Sequence, residues 1–315
     1  MPERTPLAQR SQDRQQIQRT RELTFTGAGA RLQYTFLMAL FRVAVSRGLY
    51  GRFARWLGRI FSRDNQVLLS IDGAPPFRVS LNDGYWTRFA LWHEEYEPEI
   101  AAVLKAASGR AEIFCDCGAN KGYWTVRAAP LFDRVIAAEA AEATFAALSV
   151  NAGHLPNVTL HRVAIHAVSG ERMTFVNVEN SHASARLLSD GKPGPGDKTE
   201  TVETRRIDDL VPEGVPALIK LDVEGAEVAA LEGASRAIRD GAVIIYEDHG
   251  SDSTCAPSSH LLNTPDTCLF FCDDGFRQVT SLDQVRALKT DPYKGYNLLA
   301  AHRDSALLAG IMERL

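Results

Sequence analysis

The 315-residue sequence has little of what marks a specialised class of protein. Cysteine is scarce. Five thiols in a chain this long do not form a disulfide framework, and a reducing cytoplasm is the simpler setting. Positive charge is not in excess: 35 Lys and Arg against 39 Asp and Glu leave a net charge of -4, which argues against a nucleic-acid partner. Met1 to Glu22 is rich in Arg and Gln without an early apolar core, so it does not read as a secretory signal. The longest apolar stretch, Leu32 to Ser46, contains Gln33 and Arg42 and is too short and too polar to span a bilayer. Acid is missing from one region altogether. Between Glu22 and Asp64 there is no Asp or Glu, while Arg31, Arg42, Arg47, Arg52, Arg55, Arg59 and Arg63 all fall there.

What is present suits a globular enzyme: 45% hydrophobic and 23% charged residues. The pattern divides into a disordered tail over 1–24, an Arg-rich helical extension over 25–64 and one α/β domain over 65–315. In the extension, Phe36, Leu37, Leu40, Val43 and Ala44 recur at helical spacing, as do Phe53, Trp56, Leu57 and Ile60, with Gly48 and Gly51 between the two sets. Two readings compete. In one, a helical pair packs on the protein and its arginines are solvated. In the other, residues 32–61 lie on an anionic membrane surface, which would hold the protein peripherally at the inner face of the membrane.

Downstream, Val67–Ile71 and Phe77–Leu81 alternate like a hairpin, and Pro98 opens a helix. The rhythm then becomes strand, helix, strand, helix. Apolar strands are expected at Ile113–Cys117, Val135–Glu139, Val158–Val163, Ala217–Asp222 and Val243–Glu247, with helices beginning near Gly122, Ala141 and Gly225. Such alternation predicts a parallel, doubly wound sheet, its far edge closed by Phe276–Thr280 and Asn297–His302. Met173–Val178 and Thr201–Ile207 interrupt it as two added strands. Leu188–Thr199, rich in Gly, Pro, Asp and Lys, joins them either as a surface excursion or as a lid.

Chemistry gathers at the strand ends. The first strand runs into Asp116-Cys117-Gly118-Ala119-Asn120-Lys121-Gly122, an acid followed by a Gly-x-x-x-Gly turn that lets a ligand approach the backbone. A nicotinamide site prefers Gly-x-Gly-x-x-Gly for its pyrophosphate, and an acid here would repel that group. S-adenosylmethionine has no phosphate, and its zwitterionic methionine end and sulfonium tolerate a carboxylate. Glu139, at the tip of the second strand, is positioned to accept hydrogen bonds from ribose hydroxyls. Asp222, in Lys220-Leu221-Asp222-Val223-Glu224-Gly225-Ala226-Glu227, either faces the reacting centre or caps the following helix. The fifth strand ends in Glu247-Asp248-His249. His249 is a candidate general base, and His182, just before the suspected lid, is a second. Alternatively Asp222, Glu247 and Asp248 hold a divalent cation that lowers the acceptor's pKa. His249, Cys255, His260, Cys268 and Cys272 match no paired zinc-ligand spacing.

Asp116-x-Gly118-Ala119-Asn120-x-Gly122, Arg134 to Glu139 and Ile219 to Glu227 together resemble the FkbM-type methyltransferases, and Tyr96-Glu97-Pro98-Glu99 and Gly275-Phe276 also fit. The resemblance runs from about Tyr96 to His302 and leaves the N-terminal helices outside it. It implies a class I methyltransferase (Rossmann-like) doubly wound sheet with an antiparallel edge strand, and O-methylation of sugars, glycolipids or secondary metabolites. It also implies that Asp116, Gly118, Asn120 and Gly122 line the methionine end of S-adenosylmethionine and Glu139 its ribose. Where family members often carry Phe-Glu-Pro, this sequence has Ala138-Glu139-Ala140, which alters the adenine pocket. The expected reaction is methyl transfer to a hydroxyl of a small-molecule or glycan acceptor. A nicotinamide oxidoreductase and a non-catalytic adapter that keeps the fold are the alternatives.

Overall fold

The computed structural model describes residues 21–46, 64–83, 85–87, 96–177, 186–187, 198–223 and 225–315. The chain forms two compact units, Met1–Glu95 and Tyr96–Leu315.

In the first unit, β1 (Arg21–Phe25), β2 (Gln66–Ile71) and β3 (Phe77–Ser80) make an antiparallel sheet with β2 in the middle. Val67, Leu69 and Ile71 of β2 and Phe77 and Val79 of β3 are buried, at the period of two that gives a sheet one apolar face. The hairpin turns through Asp72 and Gly73, both with positive φ. α1 (Ala28–Ser46) follows β1 and buries Ala30 and Leu37, whereas Leu32 stays 74% exposed. Two boundaries therefore move. Residues 21–24 belong to a strand and not to a disordered tail, because Arg21-Glu22-Leu23-Thr24-Phe25 alternates in exposure under an Arg-rich composition. The β2–β3 hairpin sits with β1 and not with the α/β domain, whose compact unit begins at Tyr96. The second helix expected around Trp56 lies outside the described residues.

The second unit is built on an eight-stranded sheet. Its elements are α2 (Pro98–Ala107), β4 (Ile113–Cys117), α3 (Tyr123–Ala128), β5 (Arg134–Ala138), α4 (Glu142–Ala152) and β6 (Val158–His161). After a small inserted sheet come β11 (Ala217–Leu221), α5 (Glu227–Glu232), α6 (Ser235–Arg239), β12 (Val243–His249) and α7 (Ala256–Leu262). β13 (Thr267–Phe271), β14 (Arg277–Val279), α8 (Leu282–Leu288), β15 (Gly295–His302) and α9 (Ala306–Met312) complete it. The strand order is β14-β13-β15-β12-β11-β4-β5-β6. β12, β11, β4, β5 and β6 are parallel, and β15 runs antiparallel to both β12 and β13. This is the expected doubly wound sheet, with two further strands outside the antiparallel one. β4 and β11 are buried at all five positions, which is why they read as unbroken apolar runs and not as alternation.

The insertion between β6 and β11 contains β7 (Ala164–Ile165), β8 (Arg172–Asn177), β9 (Arg186–Leu187) and β10 (Lys198–Arg205), ordered β7-β10-β8-β9. The two added strands are thus present, with two short partners. The suspected lid at 188–197 lies outside the described residues. After β4 the chain moves to β5 and β6 on one side, and β11 enters on the other. The order of connection reverses between the parallel strands β4 and β11, and open α/β sheets bind ligands beyond the carboxyl ends of the strands at such a point.

Candidate active site

The register of the two central strands sets the first contacts. Lys220 of β11 lies directly opposite Asp116 of β4, and Asp222 follows two residues later on the same side of the chain. Lys220 Nζ is 3.2 Å from Asp222 Oδ2 and 3.9 Å from Asp116 Oδ1. Asp116 is completely buried. Its Oδ2 accepts a hydrogen bond of 2.6 Å from the Thr125 hydroxyl on α3, and its Oδ1 has no hydrogen-bond partner among the described residues. Asp222 keeps 28% of its side chain exposed. It does not cap α5, whose N-cap is Ala226 without a side-chain bond. Glu227 instead folds back to accept from the Gly225 N–H.

The backbones of the two strand tips nearly touch. Asp222 N donates to Cys117 O at 3.1 Å, and a Cβ built on Gly118 would stand 1.7 Å from Asp222 O. Gly118 also has a φ of +77°, so only glycine fits there. The turn continues through Asn120 (φ 50°) to Gly122 (φ 89°), where α3 begins. Glu139 holds this turn in place. Its Oε2 accepts from Asn120 N at 2.8 Å, and its Oε1 accepts from Ala141 N and from the Thr144 hydroxyl, each at 2.9 Å. Three of the roughly four lone-pair sites of a carboxylate are therefore used internally. Burial pushes the Glu139 carboxyl above its ordinary range, against the pull of these bonds.

Two site residues had not been singled out from the sequence as functional. One is Lys220. Its charge is almost fully buried, and burial alone would lower its pKa, but Asp222, Asp116 and Glu97 together raise it above the ordinary lysine value. The sequence signal was there: a lysine inside an otherwise apolar strand needs a buried partner. The other is Glu97, at the N-cap of α2. Its backbone is left-handed, φ 45° and ψ 68°, and its side chain makes no capping bond. Glu97 Oε2 instead accepts from Trp124 Nε1 at 2.9 Å, and Oε1 from Asn297 Nδ2 of β15 at 3.4 Å. Burial raises the Glu97 carboxyl to about 7, with Lys220 opposing and Asp222 adding to the shift. Asp116 is raised likewise, first by burial, with Lys220 and Thr125 opposing.

A family model described as the methyltransferase FkbM domain matches residues 116–277, just over half of the chain. The chain belongs to the FkbM methyltransferase family. Among solved structures, the FkbM methyltransferase of Methylobacillus flagellatus KT is similar at 19% identity and a TM-score of 0.40, covering 70% of this chain and 52% of that one. This chain thus spans about half the length of that relative. The precorrin-6y C5,15-methyltransferase of Geobacter metallireducens GS-15 is similar at 13% identity and a TM-score of 0.36, covering 65% and 88% of the two chains. A methyltransferase of Streptococcus mutans, solved with S-adenosylhomocysteine, is similar at 10% identity and a TM-score of 0.37, covering 66% and 98%. A search of curated proteins gave no match.

In this FkbM methyltransferase chain, Asp116, Gly118, Asn120, Gly122, Glu139 and Asp222 all lie on the β4, β5 and β11 tips and the turns that follow them. The β12 residues divide. Glu247, Asp248 and Asp222 do not converge on an ion, because neighbouring side chains on a strand point to opposite faces. Asp248 is fully buried on the Tyr246 side, where it pairs with Lys289 and accepts from Ser258 Oγ at 2.5 Å; Ser258 in turn bonds with Tyr246. Glu247 lies over Gly295, whose Cβ would be 2.3 Å from the Glu247 carboxyl carbon. No group of three His, Cys, Asp or Glu among the described residues could hold a metal, which also covers the His249, Cys255, His260, Cys268 and Cys272 set. His249 is exposed, and its Nδ1 bonds with Ser251 Oγ at 2.7 Å, outside the network around Lys220. His182 lies outside the described residues. No helix among the described residues is long and apolar enough to cross a membrane.

Proposed function

We propose that this chain transfers a methyl group from S-adenosylmethionine to a hydroxyl oxygen of a small-molecule or glycan acceptor, such as a sugar, a glycolipid or a secondary metabolite. The observation that carries the cofactor part is the unpartnered Oδ1 of buried Asp116 at the β4 tip. A buried carboxylate oxygen without a donor is costly, and the cofactor's ammonium is a donor of the right charge. The bound cofactor supplies a methyl group on a positively charged sulfur, already a good electrophile. Gly118, Asn120 and Gly122 let the backbone approach its methionine end, and Glu139 accepts from the ribose. Asp222 is the accessible acid of the cluster, and Lys220 keeps its charge compensated. It is the proposed base for the acceptor's proton, with His249 as the second candidate. General base catalysis typically contributes ~10²–10⁴-fold, the rest coming from alignment.

Asp222→Asn tests this reading. Turnover is expected to fall by about a hundredfold or more while calorimetric affinity for S-adenosylhomocysteine changes little. Normal turnover would reduce Asp222 to a positioning role. With isotope-labelled cofactor and a hydroxyl-acceptor panel, the label should appear as a methyl ether by NMR. Label on nitrogen or carbon would overturn the O-methyl assignment, and binding of NADH in preference to S-adenosylhomocysteine would favour an oxidoreductase.

The proposed setting is cytoplasmic, with the Arg-rich segment at an anionic membrane surface. Seven arginines without an acid between Glu22 and Asp64, and Leu32 exposed on α1, support it. The full chain should co-sediment with anionic vesicles at low salt; a protein that stays in the supernatant ends the membrane reading.

A further inference from the structure

Acid outnumbers base in the proposed cofactor site. Three carboxyls, Glu97, Asp116 and Asp222, surround one buried ammonium, that of Lys220. Lys220 stands 3.2 Å from Asp222 and 3.9 Å from Asp116, so those two share its charge directly. Among the described residues, the donors against the Glu97 oxygens are neutral, the indole of Trp124 and the amide of Asn297. Asn297 is shared with a further acid, Glu99 of α2, whose Oε1 is 2.7 Å from Nδ2. From α3, Arg127 packs on Trp124, its guanidinium carbon 5.0 Å from the ring centroid. Of the three acids, Glu97 is the one without an ion pair to Lys220 among the described residues. Its left-handed backbone spends strain to turn the carboxyl away from the helix end and into this cluster.

Resting on the cofactor reading above, we propose that Glu97 is a proton-linked element of the cofactor site. It carries a proton for part of the time in the empty site, and releases it when the cofactor's ammonium docks beside Asp116 and Asp222. The chemistry is an acid–base exchange: the Glu97 O–H bond breaks, the proton passes to solvent, and the new carboxylate balances the arriving cation. Nothing is oxidised or reduced. The unpartnered Asp116 Oδ1 supplies the independent sign that a donor-bearing ligand belongs there.

The direction follows from the raised value of about 7 for the Glu97 carboxyl in the ligand-free protein. A bound cation lowers it, so binding releases protons near neutral pH and tightens as pH rises. If Glu97 is fully ionised in the complex, affinity should be about tenfold weaker at pH 6 than at pH 8. Asp116, also raised, lies in the same cluster, so the Glu97→Gln variant is needed to assign the proton.

The test is calorimetric titration of the full chain with S-adenosylhomocysteine at pH 7 in buffers of different ionisation enthalpy. The expected result is release of about half a proton per site, as befits a group titrating near the working pH. Glu97→Gln should bind with little proton release and a flat pH dependence between 6 and 8. Binding by the wild type without buffer dependence overturns the proposal and leaves the methyltransferase reading intact. Proton release that persists in Glu97→Gln also overturns it and moves the titration to Asp116. Absence of any binding overturns both readings together. If the variant fails to fold, the wild-type buffer series still overturns the proposal when binding shows no buffer dependence.

Discussion

Gly118→Ala is expected to abolish S-adenosylhomocysteine binding and to destabilise the catalytic unit by about 3 kcal/mol or more. The added methyl group would have to occupy a point 1.7 Å from the carbonyl oxygen of Asp222. That oxygen belongs to backbone, and a rotamer change cannot move it. Either β11 slides away from β4, breaking the Asp222 N to Cys117 O bond, or the turn abandons its positive φ. Each outcome pulls Asp222 and Lys220 out of line with Asp116. Gly214 is the matched control. It has a similar φ of +70°, but a Cβ there meets nothing within 4 Å, so Gly214→Ala should cost only the left-handed backbone term, roughly 1 kcal/mol. Urea denaturation of the two variants separates collision from conformation. Equal costs would mean that the approach of the two strands is not a constraint.

Lys220→Met should be almost as damaging, for an electrostatic reason. The substitution keeps an unbranched side chain of similar length and deletes the buried cation that pairs with Asp116 and Asp222. Removing one partner from a buried ionic group costs about 3–5 kcal/mol, because the remaining charge is left uncompensated. Protonation relieves that cost. Without Lys220 the carboxyls of Glu97 and Asp116, already raised, rise further. A carboxyl whose folded-state pKa exceeds its unfolded value contributes stability at low pH that is lost as pH climbs through the folded value. The deficit of Lys220→Met relative to wild type should therefore be small at pH 5 and large at pH 8. The same deficit at both pH values would show that Lys220 acts through packing.

How much of this was legible in the sequence depends on the distance over which each feature is decided. The tips of β4, β5 and β11 could be read because buried parallel strands leave unbroken apolar runs, and each run here stops at or beside an acid. The glycine turn carried its own conformational demand. β13 escaped notice because Thr267-Cys268-Leu269-Phe270-Phe271 is short and its cysteine was weighed only with the zinc spacings; in the structure the strand is a half-buried partner of β15. α7, α8 and α9, each seven residues long, are too short to show a clear period. β1 was hidden by the composition of the tail around it. Lys220 and Glu97 required tertiary information. The value of Lys220 appears only when β11 is set in register with β4, and that of Glu97 only when Asn297 of β15 reaches the start of α2. The Glu247-Asp248-His249 run misled for the opposite reason: adjacency in sequence was read as convergence, whereas the pleat separates the side chains and Lys289 engages Asp248.

The position of the small inserted sheet has an evolutionary consequence. It occupies the connection between His161, where β6 ends, and Ala217, where β11 begins. The entropy of closing a loop grows only with the logarithm of its length, so doubling such a connection costs about 0.6 kcal/mol. A single methyl group at Gly118 costs several times more. Insertions between the strands of this segment therefore carry little thermodynamic expense so long as Ile165, Ile207 and Val211 keep their places in the core, whereas the junction of β4 and β11 tolerates not even one added methyl group at Gly118.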